Sequence, residues 1–341
     1  MRKALYVLFI LTLLLSGYAR ADEGRVPVYQ QTTITQPGYY LLTRDISATS
    51  GDVITVQSSN VVVDLNGHLI SQGDPAKAGV YVTGAVNQVT VRNGRITGGT
   101  FGVRISATVS GSRFRVEKIK IDATADGILF GATGSGSTIY AEVLECDVTA
   151  TSDGISGSSE GTSGTLSGNT VTMSGGIGIS VWSARGMQVL GNRITGGLAG
   201  INLSTTVSPA GGNIIQGNTV YGASVEGLQI NSTYQPTKGN LIKDNVFSFC
   251  GLYGMEIDSS DNTIVGNVAS YNKIGIFVGA NGQRNLIDAN QLNSNTGSGS
   301  YGIYFGANGA HAYRNNIIRG NGTGTVGGVL TGNTNAGGNI T

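Results

Sequence analysis

Gly227-Leu228-Gln229-Ile230 and Gly254-Met255-Glu256-Ile257 share one pattern, a glycine followed by an apolar-x-apolar triplet. Between them stands Asn240-Leu241-Ile242-Lys243-Asp244-Asn245, which reads Asn-x-Ile-x-x-Asn. Working outward, the glycine pattern recurs at Gly79, Gly102, Gly127, Gly178, Gly200, Gly275 and Gly302, with a degraded copy at Gly154-Ile155-Ser156-Gly157. The steps are 21 to 27 residues. The asparagine pattern recurs at Asn213-Asn218, Asn262-Asn267, Asn285-Asn290 and Asn316-Asn321. Both patterns share one period, and neither shows helical apolar spacing. A unit this short cannot bury its own apolar face, but stacking turn on turn does so continuously, at about 4.8 Å per turn. The reading is an all-β parallel solenoid of about 10–11 coils over residues 52–341, with an N-terminal cap over 22–51. Asn tolerates left-handed corners and bonds backbone there, which predicts an inward ladder through Asn169, Asn192, Asn218, Asn245, Asn267, Asn290 and Asn321. Gly is expected where each strand opens on a sharp turn.

Composition agrees with this reading and narrows the compartment. The chain has 341 residues, 55 of them Gly, and only 12% are charged. That glycine content without a three-residue period excludes collagen, and the low charge with abundant Val and Ile argues against disorder. Residues 1–21 read as a cleaved signal peptide: Arg2 and Lys3 precede an apolar run from Ala4 to Leu15, followed by Ala19-Arg20-Ala21. The run is too short to span a bilayer, no later run is longer, and no membrane insertion is expected. Cleavage removes three of the 21 basic residues and none of the 20 acidic ones, leaving a formal net charge of −2. Nothing here favours nucleic acid as a partner. Cys146 and Cys250 fall four units apart, about 19 Å along the axis, which is beyond disulfide reach. Cys146 falls on a ladder position and is expected to point inward as a small apolar residue.

The repeat, together with Gln36-Pro37-Gly38-Tyr39-Tyr40 and Asn60-Val61-Val62-Val63-Asp64-Leu65-Asn66-Gly67-His68 near the start, resembles the secreted right-handed parallel β-helix proteins. That group includes pectate lyases, polygalacturonases and the periplasmic NosD-like proteins. The resemblance covers roughly Asp52 to Asn321 and implies an exported, secreted or periplasmic, single-stranded right-handed β-helix acting on polysaccharide. It carries no catalytic residues across. The Asn-Thr-Asp, Gly-His-Gly and Arg-Ile-Lys patterns of polygalacturonases and the Trp-x-Asp-His pattern of pectate lyases are missing, and Asp74-Pro75 is followed by Ala76 rather than the His of alginate epimerases. With His68 and His311 read as solvated loop residues and two distant Cys, copper ligation of the NosD-like kind finds no donor set.

Candidate site residues therefore come from register. From Arg92 to Lys120 seven basic residues face one acid, and the 64 residues that follow hold seven acids and no base. Opposite charges one coil apart, Arg92 over Glu117, Arg115 over Glu142, Lys118 over Glu145 and Lys120 over Asp147, make most of this imbalance structural pairing. Asp126 and Asp153 break the rule. They stack as like charges before a strand-opening Gly, either as a catalytic carboxylate pair, as Ca²⁺ ligands, or as acids bonding their own turns. Glu226, Tyr253 and Tyr301 share that position, and with Trp182 and Tyr304 they form a candidate polysaccharide-binding line. The expected function is a β-helix that binds and cleaves extracellular or envelope polysaccharide, lyase- or glycosidase-like. The competing reading is a non-catalytic structural or adhesive module. Oligomeric state is not read from the sequence.

Overall fold

The computed structural model describes residues 24–123, 125–132, 138–158, 161–204, 210–231 and 237–341. The segment read as a signal peptide lies outside them, as does Tyr234, one of the aromatic residues gathered in the C-terminal half of the sequence. Among the described residues every element is a strand. One coil runs Ser163–Ser167, Thr170–Met173, Ile177–Trp182, and the next runs Met187–Leu190, Arg193–Gly196, Ala199–Ser204. Corresponding strands pair in parallel, for example Leu166 beside Val189 and Ile179 beside Ile201. The third strand of each coil builds a 13-stranded sheet, and the first two build a 22-stranded sheet.

The 13-stranded sheet holds more rungs than the ten glycine copies predict. Thr32–Ile34, Ile54–Val56 and Gly324–Gly328 also join it, although none carries the full glycine-triplet signature. Residues expected to cap the stack already follow its plan, since Arg25–Val28 pairs in parallel with Gly38–Leu42. The interior is a set of in-register apolar columns. One runs Val80, Val103, Ile128, Ile155, Ile179, Ile201, all with no solvent exposure. Each buried Val or Ile contributes about 1.5–3 kcal/mol relative to exposure.

Strand-opening glycines are required for a reason other than a left-handed turn. Gly178, Gly200 and Gly227 have no positive φ. A Cβ on Gly227 would lie 2.5 Å from the carbonyl oxygen of Gly254 and 2.8 Å from the Phe247 ring. The next rung and the core leave no room for a side chain.

Three polar ladders run through the turns. The first links Cys146, Asn169, Asn192, Asn218, Asn245, Asn267, Asn290, Asn316 and Asn339; at each step a backbone N–H donates to the next side-chain Oδ1 at 2.9–3.0 Å. Asn316, not Asn321, therefore continues the predicted ladder. Asn321 ends a separate ladder of Cys250, Asn272 and Asn295. The remaining one links Asn213, Asn240, Asn262, Asn285, His311 and Asn333. His311 is thus no solvated loop residue: it is 1% exposed and its Nδ1 accepts the Asn285 N–H at 3.1 Å.

The predicted charge pairs form. Arg92 lies 3.8 Å from Glu117, Arg115 3.4 Å from Glu142, Lys118 3.8 Å from Glu145 and Lys120 3.0 Å from Asp147. Arg92 also bonds the buried Asp64 at 3.0 Å. The exposed pairs, Lys118 with Glu145 and Lys120 with Asp147, contribute at most about 1 kcal/mol each, so they tune register more than stability. Both cysteines are free and buried, as their ladder positions require.

Candidate functional site

In the 13-stranded sheet the residue before each glycine and the middle residue of each triplet, three positions apart with two buried residues between them, point out of the stack and form columns on one face. The position before the glycine stacks Asp126, Asp153, Ile177, Ala199, Glu226, Tyr253, Ile274 and Tyr301 in order. Beside it, the polar place of the triplet stacks Ser156, Ser180, Asn202, Gln229, Glu256, Phe277 and Tyr304. All the residues singled out from the sequence lie on this face. They do not form one cluster.

Asp126 and Asp153 are neighbours, and part of each carboxylate is engaged in the frame. The Asp153 N–H donates to Asp126 Oδ1 at 3.1 Å, and the Ile177 N–H donates to Asp153 Oδ1 at 3.3 Å. Each Asp thus ties the start of the next rung rather than its own turn. Burial, then the Asp126 carboxylate, push the Asp153 carboxyl above its usual range.

Three rungs further on, about 14 Å away, Glu226 sits in register with Tyr253. Burial, then the nearby Glu256 carboxylate, push Glu226 up to about 7. It is therefore a carboxyl that holds a proton half the time near neutrality. Glu256, which the sequence reading missed, occupies the polar place of a glycine triplet, so its outward direction was legible. Its proximity to Glu226 depends on a diagonal across two rungs.

Above the two glutamates lies an aromatic surface. Tyr253 stacks on Phe277 with ring centroids 4.6 Å apart, Phe277 on Tyr304 at 5.9 Å, and Tyr304 meets Tyr301 at 5.4 Å. With Lys273, Ile274 and Gly299 these rings line an open cavity of about 470 Å³. Trp182 shares the face and is 47% exposed, but it stands five rungs from Tyr301, about 24 Å along the axis. Two further aromatic residues of the C-terminal half lie off this face. Tyr313 is buried against Phe305, and Tyr271 stacks on Phe249 at a corner where both residues adopt positive φ.

The sequence profile of a family described as periplasmic copper-binding protein (NosD) matches residues 48–247 and 207–324. The chain belongs to the NosD family. No curated protein matches it. Among solved structures it is similar to the Dettilon tailspike protein, with a TM-score of 0.55 at 17% identity, covering 86% of this chain and 62% of that one. It is also similar to the A-module of the mannuronan C-5 epimerase AlgE6 from Azotobacter vinelandii, with a TM-score of 0.56 at 13% identity, covering 89% and 90% of the two chains. The chain spans less than two thirds of the tailspike. At these identities the likeness is one of fold.

Among the described residues the soft donors of this NosD-family chain do not make a copper site. Cys146 and Cys250 are buried on different ladders, and burial pushes both thiols up to about 12, far from the thiolate that binds metal. His311 has Nδ1 occupied within its ladder, and His68 pairs with Asp45 at 3.1 Å. Met173, Met187 and Met255 lie in separate strands. Among the described residues no three of His, Cys, Asp and Glu gather.

Proposed function

We propose that this NosD-family protein is exported to the periplasm or beyond, where it binds a polysaccharide along the outward face of the 13-stranded sheet and cleaves it by acid–base chemistry. One observation carries the reading. A carboxyl poised near pH 7, Glu226, lies directly below a four-ring aromatic cavity made by Tyr253, Phe277, Tyr301 and Tyr304. Aromatic rings pack against the apolar faces of sugars, and a half-protonated carboxyl can donate to a glycosidic oxygen. Trp182, Asp126 and Asp153 extend the same face toward the N-terminal end. The oxygens of that Asp pair not tied to backbone are free to bind Ca²⁺ or sugar hydroxyls. The fold likeness to a mannuronan epimerase module agrees with a glycan partner.

The test is a panel of uronate-containing and neutral glycans, assayed for binding, new reducing ends and unsaturated products, with Ca²⁺ and with chelator. Tyr304→Ala is expected to weaken binding about tenfold, equivalent to about 1.4 kcal/mol. Glu226→Gln is expected to lower turnover at least about a hundredfold while leaving binding in place. Turnover should fall as pH rises past 7, because the acid form of Glu226 is then lost. A second reading, the non-catalytic adhesive module, is favoured by the structural engagement of Asp126 and Asp153 in the rungs. Binding without turnover on every glycan would select it, and binding to none would overturn both the catalytic and the glycan-adhesive readings.

A further inference from the structure

Asn202, Gln229 and Glu256 occupy one outward column on three successive rungs. Asn202 Nδ2 donates to Gln229 Oε1 at 2.6 Å, and Gln229 Nε2 donates to Glu256 Oε2 at 2.8 Å. The direction of this chain follows from the group at its end. A carboxylate only accepts hydrogen bonds, so Gln229 must turn its NH₂ toward Glu256. Its oxygen then faces Asn202, which must turn its own NH₂ to meet it. The unmet group is left at the far end: Asn202 Oδ1 is buried without a hydrogen-bond partner. An orphaned buried acceptor is destabilising, and an apolar residue at 202 would avoid it. The column accepts that cost while fixing one carboxylate.

We propose that Asn202 and Gln229 are positioning residues that hold the Glu256 carboxylate beside Glu226, so that Glu226 is the member of the pair that carries the proton. This rests on the reading of Glu226 as the acid of the face. The groups around Glu226 are few. Its own strand Glu226–Asn231 and the preceding strand Ala199–Ser204 offer no other titratable side chain. The following strand brings Tyr253, Glu256 and Asp258, and Cys250 lies in the turn before it. Lys273 lies one rung further, at the rim of the aromatic cavity. Glu256 is the group whose placement depends on the amide chain.

The experiment follows the Glu226 side-chain carboxyl by ¹³C NMR across pH in the full mature chain. Glu256→Gln is expected to lower its midpoint by about one pH unit, because the like charge is gone. Gln229→Leu is expected to lower it comparably, since an untethered Glu256 turns to solvent, and Asn202→Leu less, in the same direction. Gln229→Leu combined with Glu256→Gln should go no lower than Glu256→Gln alone. Gln229→Met keeps length without polar atoms and serves if the Leu variant does not fold. An unchanged midpoint in the Gln229 variants, or an additive fall in the double variant, would overturn the inference. The measurement needs no glycan. Failure of the protein to bind glycans would count against the proposed function alone, and an unchanged midpoint in a glycan-binding protein would count against the positioning role alone.

Discussion

Relative to wild type, His311→Asn is expected to gain about 3 kcal/mol of stability as pH falls from 6.5 to about 4. His311 is 1% exposed, stacks on Phe305 at 5.4 Å between ring centroids, and leaves Nε2 buried without a partner. Burial depresses its pKa to about 4, below the 6.5 of an unfolded histidine. The unfolded chain therefore binds more protons through this interval, and its stability contribution is full above pH 6.5 and lost progressively down to 4. At about 1.36 kcal/mol per pH unit the interval amounts to about 3 kcal/mol. Glu226 works in the opposite sense, because a carboxyl raised to about 7 favours the fold as pH drops through 7 to 4.5. Wild type alone would show the two effects partly cancelled, which is why the comparison is between proteins. Denaturant unfolding of both at half-unit pH steps is the check. Parallel stability curves would refute the assignment. Asn is the informative replacement, since its Oδ1 can accept the Asn285 N–H as every other ladder side chain does.

That histidine also shows how far the sequence could be read. The glycine copies give ten of the thirteen rungs because Gly is demanded by space, where a Cβ would strike the next rung's carbonyl. The other rungs lack the full signature and are set by pairing, as at Ile54–Val56 beside Ala78–Gly84. In each asparagine motif the first Asn belongs to one ladder and the second to another, as Asn285 and Asn290 show. His311 fills the first place in the last copy. Reading it as a loop residue slid the register by five positions and put Asn321 where Asn316 belongs. The four ion pairs were legible because they depend only on which residues share a column. The acid of the candidate site was legible in place but not in character. Glu226 could be put on the outward face from its neighbour glycine, yet its raised pKa comes from burial and from Glu256 on a diagonal, neither of which spacing reveals.

The larger stability effect is expected inside the first ladder. Asn218 Oδ1 accepts both the backbone N–H and the Nδ2 of Asn192 at 2.9 Å, and its own Nδ2 donates to Val189 O at 2.8 Å and Asn245 Oδ1 at 2.9 Å. The side chain has no exposure. Asn218→Leu fills the space but strands two donors of Asn192 and one carbonyl, all out of reach of water. With each of the three stranded groups costing about 1–3 kcal/mol, a loss of about 3–9 kcal/mol is expected. Asn169, at the end of the ladder, accepts only the Cys146 N–H with its Oδ1 while its Nδ2 still donates to Val143 O, so Asn169→Leu strands one donor and one carbonyl and should cost about two thirds as much. Asn218→Asp separates polarity from size. An ionised Asp could still accept from Asn192, but it would face Val189 O and Asn245 Oδ1 with lone pairs instead of N–H groups, and protonation would restore one donor. Its stability deficit against wild type should therefore narrow on acidification, while that of Asn218→Leu should not. Equal losses at positions 169 and 218, or an Asp variant whose deficit ignores pH, would mean that the ladder acts by filling volume and that its hydrogen-bond direction is incidental.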